Sequence, residues 1–535
     1  MASPVLIFLA ATVAYALFRL SRVGRRPKGC PPGPPTLPIL GNLHLLPKEN
    51  APAQFKKWAD EYGPIYSLIL GNNVTIILSS DVVVKELLEK RSSIYSSRPE
   101  MYISSVGSDF RRMVLMEYGD KWRRIRKLFH LFLHLKAVKA YEPYMELEST
   151  SVMADILERP QLIYDHILRY TTSVSSQLVY GSRTPDLDDP KTRLMYDTLD
   201  KWSELTGPGP AAILDVFPIL RSLPAVIRPF YKQALAIRKA SLDYASDLWF
   251  EAKRKVREGT SKPCFCVGLA ESQTKEGLDD MDLAMAASTG LEAAYDTTAC
   301  TLCGFLQAMI IYRDAQKKAQ EAIDRLCGNR MPTIADMDYP EAQYIKACVK
   351  ETLRWMPTAA MGIPHAVTQD DEYMGYRIPK GATVILNTWA IHMDEKRYKN
   401  PRVFDPSRYM HDTKSSSESA LSADPTKRDH YGFGAGRRIC EGMHMVDRTL
   451  FLFIARFVWA FDLLPAKDAD GKDIIPDQDD FVGNILIKPR PFPLEIKPRS
   501  ESRAAAVRQA WKEARELLDK DRQWKIVPEG MPFTL

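Results

Sequence analysis

Cys440 stands in the run Phe433-Gly-Ala-Gly-Arg-Arg-Ile-Cys-Glu-Gly442, one thiol among three glycines and two arginines. A thiolate, unlike a thiol, ligates metals. Glycine permits backbone angles closed to other residues and lets a flat group approach the main chain. Met443 to Trp459 reads as an apolar helix, so the cysteine falls at a loop-to-helix junction. The helix dipole, Arg437 and Arg438 are expected to ease loss of its proton. A second chemical pair is Asp296-Thr297, an acid followed by a hydroxyl inside an apolar helix, costly there unless used or satisfied. Back-bonding of Thr297 to a carbonyl is the plain alternative. Trp122 and Arg126 share a helical face, as do Glu351 and Arg354. His365 alone reads more readily as a core histidine.

These residues need elements to hold them. Met281 to Tyr312 is a long central helix carrying Asp296 and Thr297, and Tyr344 to Trp355 carries Glu351 and Arg354. Phe55 to Tyr62 reads as a helix, Ile65–Leu70 and Val74–Leu78 as a hairpin, and Asp81 to Lys90 as a helix capped by Asp81. Tyr376–Pro379 and Ala382–Asn387 are short strands expected to join that hairpin in a small sheet. Helices fill Tyr141 to Lys255, broken at 181–190 and 207–210. His411 to His430, rich in Ser, Asp and Lys, reads as a mobile surface loop. A net charge of +6 on 535 residues is too scattered to argue for nucleic acid, and eight cysteines are too few for a secreted disulfide scaffold. Cys264, Cys266, Cys300 and Cys303 read as core residues, since their spacing does not suit zinc.

The run around Cys440 resembles the haem-ligand signature of the cytochrome P450 superfamily, Phe-x-x-Gly-x-Arg-x-Cys-x-Gly. Phe433, Gly436, Arg438, Cys440 and Gly442 fill its five fixed positions. The resemblance, over about 30–498, implies a mainly α fold with small β-sheets (α+β), one large haem domain, and haem b with Cys440 as axial ligand to the iron. It gives Trp122, Arg126, His365 and Arg438 to the propionates, with Phe433 and Gly436 in the ligand loop. Asp296 and Thr297 take the proton-delivering role, although Ala294 stands where glycine is usual and Tyr295 is bulky for its place. Glu351, Arg354 and Arg408 form a buried charge cluster, with Ser407 where glutamate is common. The inferred pocket, Leu291, Ala293, Ala359, Met361, Ile363 and Phe481, is apolar, so the expected substrate is an apolar small molecule. Its oxidation would use O2 and electrons from NADPH through cytochrome P450 reductase, with cytochrome b5 as a further candidate donor. Lys121, Arg123, Arg124 and Lys127 are a candidate dock for an acidic donor. The motif spellings look most like fungal members that decorate specialised metabolites. Two rivals are a same-fold enzyme that rearranges a peroxide or dehydrates without O2, and a non-catalytic haem-binding sensor.

The chain's ends complete the organisation. Val5 to Phe18 is apolar except for Thr12, and Arg19, Arg22, Arg25, Arg26 and Lys28 follow it. Charge after the apolar run, and none before it, favours an uncleaved transmembrane anchor (1–20) with the body cytosolic on the endoplasmic reticulum. Cys30-Pro-Pro-Gly-Pro-Pro35 lies in a basic, proline-rich hinge (21–50), expected to be a stiff spacer. The catalytic domain then spans 51–498. The extension 499–535 carries an apolar stripe of Val507, Ala510, Trp511, Ala514, Leu517 and Leu518, expected to pack on the body.

Overall fold

The computed structural model describes residues 21–535 apart from 48, 207–209, 484, 530 and 532–535, and of the first twenty only 8, 12 and 18. The anchor expected over 1–20 and the helix break at 207–209 therefore lie outside the described residues. Among the described residues no helix is long and apolar enough to cross a membrane.

Asp280–Ile311 is the axis of the molecule, 32 residues long, or about 48 Å at 1.5 Å per residue. Its start is set by Asp279, whose carboxylate accepts from the Asp282 N–H at 2.6 Å. A helix this apolar on nearly all sides must be covered all round. Ile163–Tyr180, Tyr231–Arg257, Gln343–Trp355 and Met443–Ala460 pack against it.

Beside the helices lies a four-stranded sheet in the order Ile65–Leu70, Asn73–Leu78, Thr383–Leu386, His365–Ala366. Thr383–Leu386 runs parallel to Asn73–Leu78, so the late chain closes on the early hairpin. Tyr376–Ile378 does not join this sheet, contrary to expectation; it pairs with Asp371–Tyr373 in a separate hairpin. Asp81 is not the cap of its helix: Ser80 holds that position, and Asp81 pairs with Arg397.

The proline-rich hinge is no free spacer. Ser67 N–H donates to the Pro32 carbonyl at 2.7 Å and Ser67 Oγ to that of Pro31 at 2.6 Å, while Asn42 bridges the Pro34 and Pro35 carbonyls to the Ile69 N–H. Prolines lack an N–H but keep a carbonyl, so they satisfy donors on the edge strand. The 411–430 segment is also anchored. Ser416–Ala420 is a short helix begun by a Ser415/Glu418 capping box, and the Ser417 N–H donates to the buried Asp447 at 2.8 Å. Composition misled here because serines can serve as internal caps.

The C-terminal helix, Glu501–Glu516, packs on Glu142–Glu158 through Ala504 and Val507, although Leu517 remains exposed. Beyond it Trp524 is 7% exposed, and its indole N–H donates to Gln177 at 2.6 Å. Gln177 also donates to Glu148, which is fully buried between Arg169 and Arg183. Trp524→Ala is expected to cost about 3–5 kcal/mol of stability, read by urea unfolding followed by far-ultraviolet circular dichroism.

Candidate active site

The Cys440 loop is shaped before its helix begins. The Cys440 N–H donates to the Phe433 carbonyl at 2.9 Å, closing the loop, and the helix starts only at Met443. Gly436 has φ +64°, and a Cβ there would meet the Leu88 carbonyl oxygen at 1.9 Å, so only glycine fits. The two neighbouring arginines do not serve the thiol as expected. Arg437 turns to the Tyr118 hydroxyl, and Arg438 lies 4.1 Å over the Trp122 ring, donating to the Ser96 and Met116 carbonyls. Burial pushes the Cys440 thiol up from its ordinary value; the Gly442 N–H and Arg126 pull it back, and Glu441 opposes them. The cation that favours thiolate thus comes from a distant helix.

Cys440 opens on a cavity of about 310 Å³. At one end Trp122, Arg126, His365 and Arg438 come together, joined by Arg98, which the sequence reading missed. Arg98 donates to the carbonyls of Val114, Ile363 and Pro364 at 2.7 to 2.9 Å. Burial and the Arg126 charge lower its pKa to about 9; burial with Arg98 and Arg126 lowers that of Arg438 to about 8. Arg126 pairs with Glu441, but no carboxylate acts on Arg98 or Arg438 among the described residues. His365 is held by the Tyr95 carbonyl at 2.8 Å, and burial together with Arg98 and Arg438 lowers its pKa to about 3. Carbonyls orient guanidinium groups without cancelling their charge. The cavity end therefore fits a flat group bearing carboxylates, as haem does. Only a lone arginine before Pro99 marked Arg98 in the sequence.

The opposite wall is apolar. Ala293, Ala294, Thr297, Ala359 and Ile363 line it, while Phe433 lines the cavity from the Cys440 loop, its ring against His430. Leu291, Met361 and Phe481 do not. Leu291 is two residues, or about 200°, round the helix from Ala293 and packs among Ile125, Phe129 and Leu283. Met361 joins the Phe55–Trp58–Tyr66 cluster, and Phe481 meets Trp389 edge-to-face with ring centroids 5.4 Å apart. Tyr295 points away from the cavity, 5.0 Å from the ring of Tyr196, so its bulk does not fill the site. Thr297 Oγ1 donates to the Ala293 carbonyl at 2.8 Å while facing the cavity. The back-bond and the cavity position thus coexist. Asp296 lies behind the wall.

Glu351 and Arg354 are joined by two bonds of 2.7 Å, both side chains fully buried. Arg408 approaches Glu351 at 3.3 Å, and the Asp405 N–H donates to it at 2.8 Å. The Ser407 hydroxyl donates to Asp405 Oδ1 at 2.5 Å, the carboxylate that caps this turn. The cluster reaches the ligand loop: His392 Nδ1 donates to the Arg354 carbonyl at 2.9 Å, and its Nε2 accepts from the Tyr431 N–H at 2.7 Å. The basic residues around Trp122 have partners of their own. Lys121 pairs with Asp282 at 2.6 Å, Lys127 with Glu276 at 2.7 Å, Arg123 with Asp120, and Arg124 donates to the Glu276 carbonyl.

The family model for cytochrome P450 matches residues 31–496, and the chain belongs to that family. It is a cytochrome P450 monooxygenase. It is 59% identical to cytochrome P450 monooxygenase fsoB of Humicola fuscoatra, over 100% of this chain and 99% of that one. With virE of Hypocrea virens the identity is 49%, over 100% and 97%. A zebra fish cytochrome P450 structure with progesterone superposes with a TM-score of 0.70 at 21% identity, covering 84% of this chain and 99% of that one; this likeness concerns the fold alone.

Arg98→Gln is expected to weaken haem retention by about 1.5–3 kcal/mol, roughly tenfold to a hundredfold. The rate of haem transfer to apomyoglobin measures it.

Proposed function

We propose that this enzyme oxidises an apolar small molecule of specialised metabolism at a haem held by Cys440, with O2 and electrons from NADPH through a flavoprotein reductase. Cytochrome b5 would be an auxiliary donor. One observation carries the reading: a single cavity combines the Cys440 thiol, three arginines and a wall of alanine and isoleucine. Its few polar groups favour an apolar substrate. The similarity to fungal monooxygenases supports the metabolite class.

When bound, haem supplies the iron on which O2 is activated, and thiolate ligation favours O–O cleavage. The Cys440 sulfur would hold the iron, while Arg98, Arg126, Arg438, the Trp122 indole and His365 would hold the carboxylates. Ala293, Ala294, Ala359 and Ile363 exclude water and orient the substrate by shape. Thr297 presents a hydroxyl to the cavity, and Asp296 stands behind it as a reservoir of protons. Reduction under carbon monoxide should give the red-shifted band of sulfur ligation; a band without that shift in intact protein would refute the reading. Cys440→Ala should abolish the band and activity together. Thr297→Ala should keep the band and divert electrons to peroxide, measured as peroxide released per NADPH.

We also propose attachment to the endoplasmic reticulum membrane with the catalytic body cytosolic. Ile219, Val226 and Ile227 are exposed, Val226 by 95%, as are Leu37, Ile39 and Leu40 of the hinge. These groups are near one another, because the Leu70–Asn73 turn touches both: Gly41 bridges to Leu70, and Asn73 donates to the Asp215 carbonyl at 3.1 Å. The basic hinge leaves the body here, so one apolar face and a row of cations meet the same lipid surface. In protein lacking residues 1–20, Ile219→Asp with Val226→Asp and Ile227→Asp should reduce sedimentation with phosphatidylcholine–phosphatidylserine vesicles several-fold.

A further inference from the structure

The central helix has a second polar face that the cavity does not use. Asp296, Cys300 and Cys303 are spaced i, i+4, i+7, which puts them on one stripe. Cys300 Sγ donates to Asp296 Oδ1 at 3.7 Å. The strand Lys488–Pro489 lies along this stripe. It is pinned there because the Ile487 N–H donates to the Thr358 carbonyl at 2.8 Å, and the Thr358 hydroxyl meets that of Thr301 at 3.2 Å. From the other side comes Pro190–Thr206, whose Tyr196 meets Tyr295 edge-to-face and whose Asp200 is exposed. Lys488 is exposed as well, Asp296 is half-buried, and Thr297 is on the cavity wall. These residues form a graded series from solvent to the site.

We propose that Lys488 is a positioning residue that, with Asp200 as its second anionic partner, forms the solvent entrance of proton delivery through Asp296. A proton from bulk water neutralises the Asp296 carboxylate. Asp296 then passes it toward Thr297, whose hydroxyl takes it up as it releases its own into the cavity. Both groups finish as they began, and no electron moves. The charges agree in sign with this arrangement. Burial pushes the Asp296 carboxyl above its ordinary range, Lys488 pulls it back, Asp200 pushes it further up, and Cys300 pulls it down. Burial works against the Lys488 ammonium, but Cys300, Asp296, Cys303 and Asp200 outweigh it and raise its pKa. Tyr196 and Tyr295, the other titratable groups at this face, are both held neutral by burial. The Lys488 charge therefore acts on an acid of the central helix and on one of a peripheral helix. Movement of Pro190–Thr206 would change how much of its charge Asp296 feels.

The proposal rests on the proton role given to Asp296 and Thr297, and its test separates the two. In the resting holoenzyme, the Cys300 S–H infrared band, assigned by difference from Cys300→Ala, reports protonation of Asp296 without turnover. Removing the cation in Lys488→Met should move the titration midpoint up by about 1 pH unit, and removing the anion in Asp200→Asn should move it down by less. Lys488→Arg should restore the original midpoint. With a ligand that is turned over, Lys488→Met should release several-fold more peroxide per NADPH at unchanged haem content. Midpoints that stay in place, or move in the same direction, overturn the arrangement. Opposite shifts without a change in peroxide overturn its part in proton delivery when Asp296→Asn still uncouples. If Asp296→Asn does not uncouple either, the proton role of Asp296 itself fails, and the entrance with it.

Discussion

Positive charge enclosed without a matching anion is the constraint on which this structure turns. Arg98 and Arg438 are inside the Cys440 cavity with carbonyl partners and, among the described residues, no carboxylate of their own, and each feels repulsion from the cations beside it. Removing a guanidinium from water costs several kcal/mol unless an opposite charge offsets it. A protein that holds such groups in place is built to receive an anion. The carboxylates of haem would meet that need, and docked there they would offset the charge of Arg98 and Arg438, which adds to burial in keeping His365 neutral. Binding of a group that completed the site would also offset this electrostatic cost, and would then be linked to folding.

The surroundings explain how an unfavourable cluster is kept in register. Glu351 and Arg354 are fully buried and doubly bonded, an arrangement that tolerates little displacement of either partner. Through His392 and Tyr431 that rigidity reaches the loop ending at Cys440. The parallel pairing of Thr383–Leu386 with Asn73–Leu78 ties the early hairpin to the segment carrying His365. The cations therefore come from distant parts of the chain and are fixed by separate devices.

The central helix divides its work by face. One side presents Ala293, Ala294 and Thr297 to the cavity, small residues that leave room for a ligand. The side bearing Asp296 and Cys300 lies within the electrostatic reach of Lys488 and Asp200, both exposed. A 3.6-residue repeat lets neighbours such as Asp296 and Thr297 face different environments. Catalysis that needs both a dry pocket and a proton supply gains from that separation.

Local chemistry determined a good deal. The need for glycine at 436 and the pairing of Glu351 with Arg354 depend on residues close in sequence, so both were legible there, as were Cys440 and Asp296 as candidates for chemistry. The apolar stripe of the last helix was legible for the same reason, although Leu517 ended outside the contact. What sequence could not give was direction and partner. Arg437 and Arg438 adjoin Cys440 but turn away from it, while Arg126 arrives from another helix. Leu291 and Phe481 are apolar like true pocket residues, but helix rotation and strand placement send them elsewhere. Arg98 carries no local signal beyond its place before Pro99, and Lys488 none, because their charged surroundings are set only when remote segments pack. Sequence specified which groups could do chemistry; tertiary packing decided which of them share a low-dielectric space, where charge acts strongly.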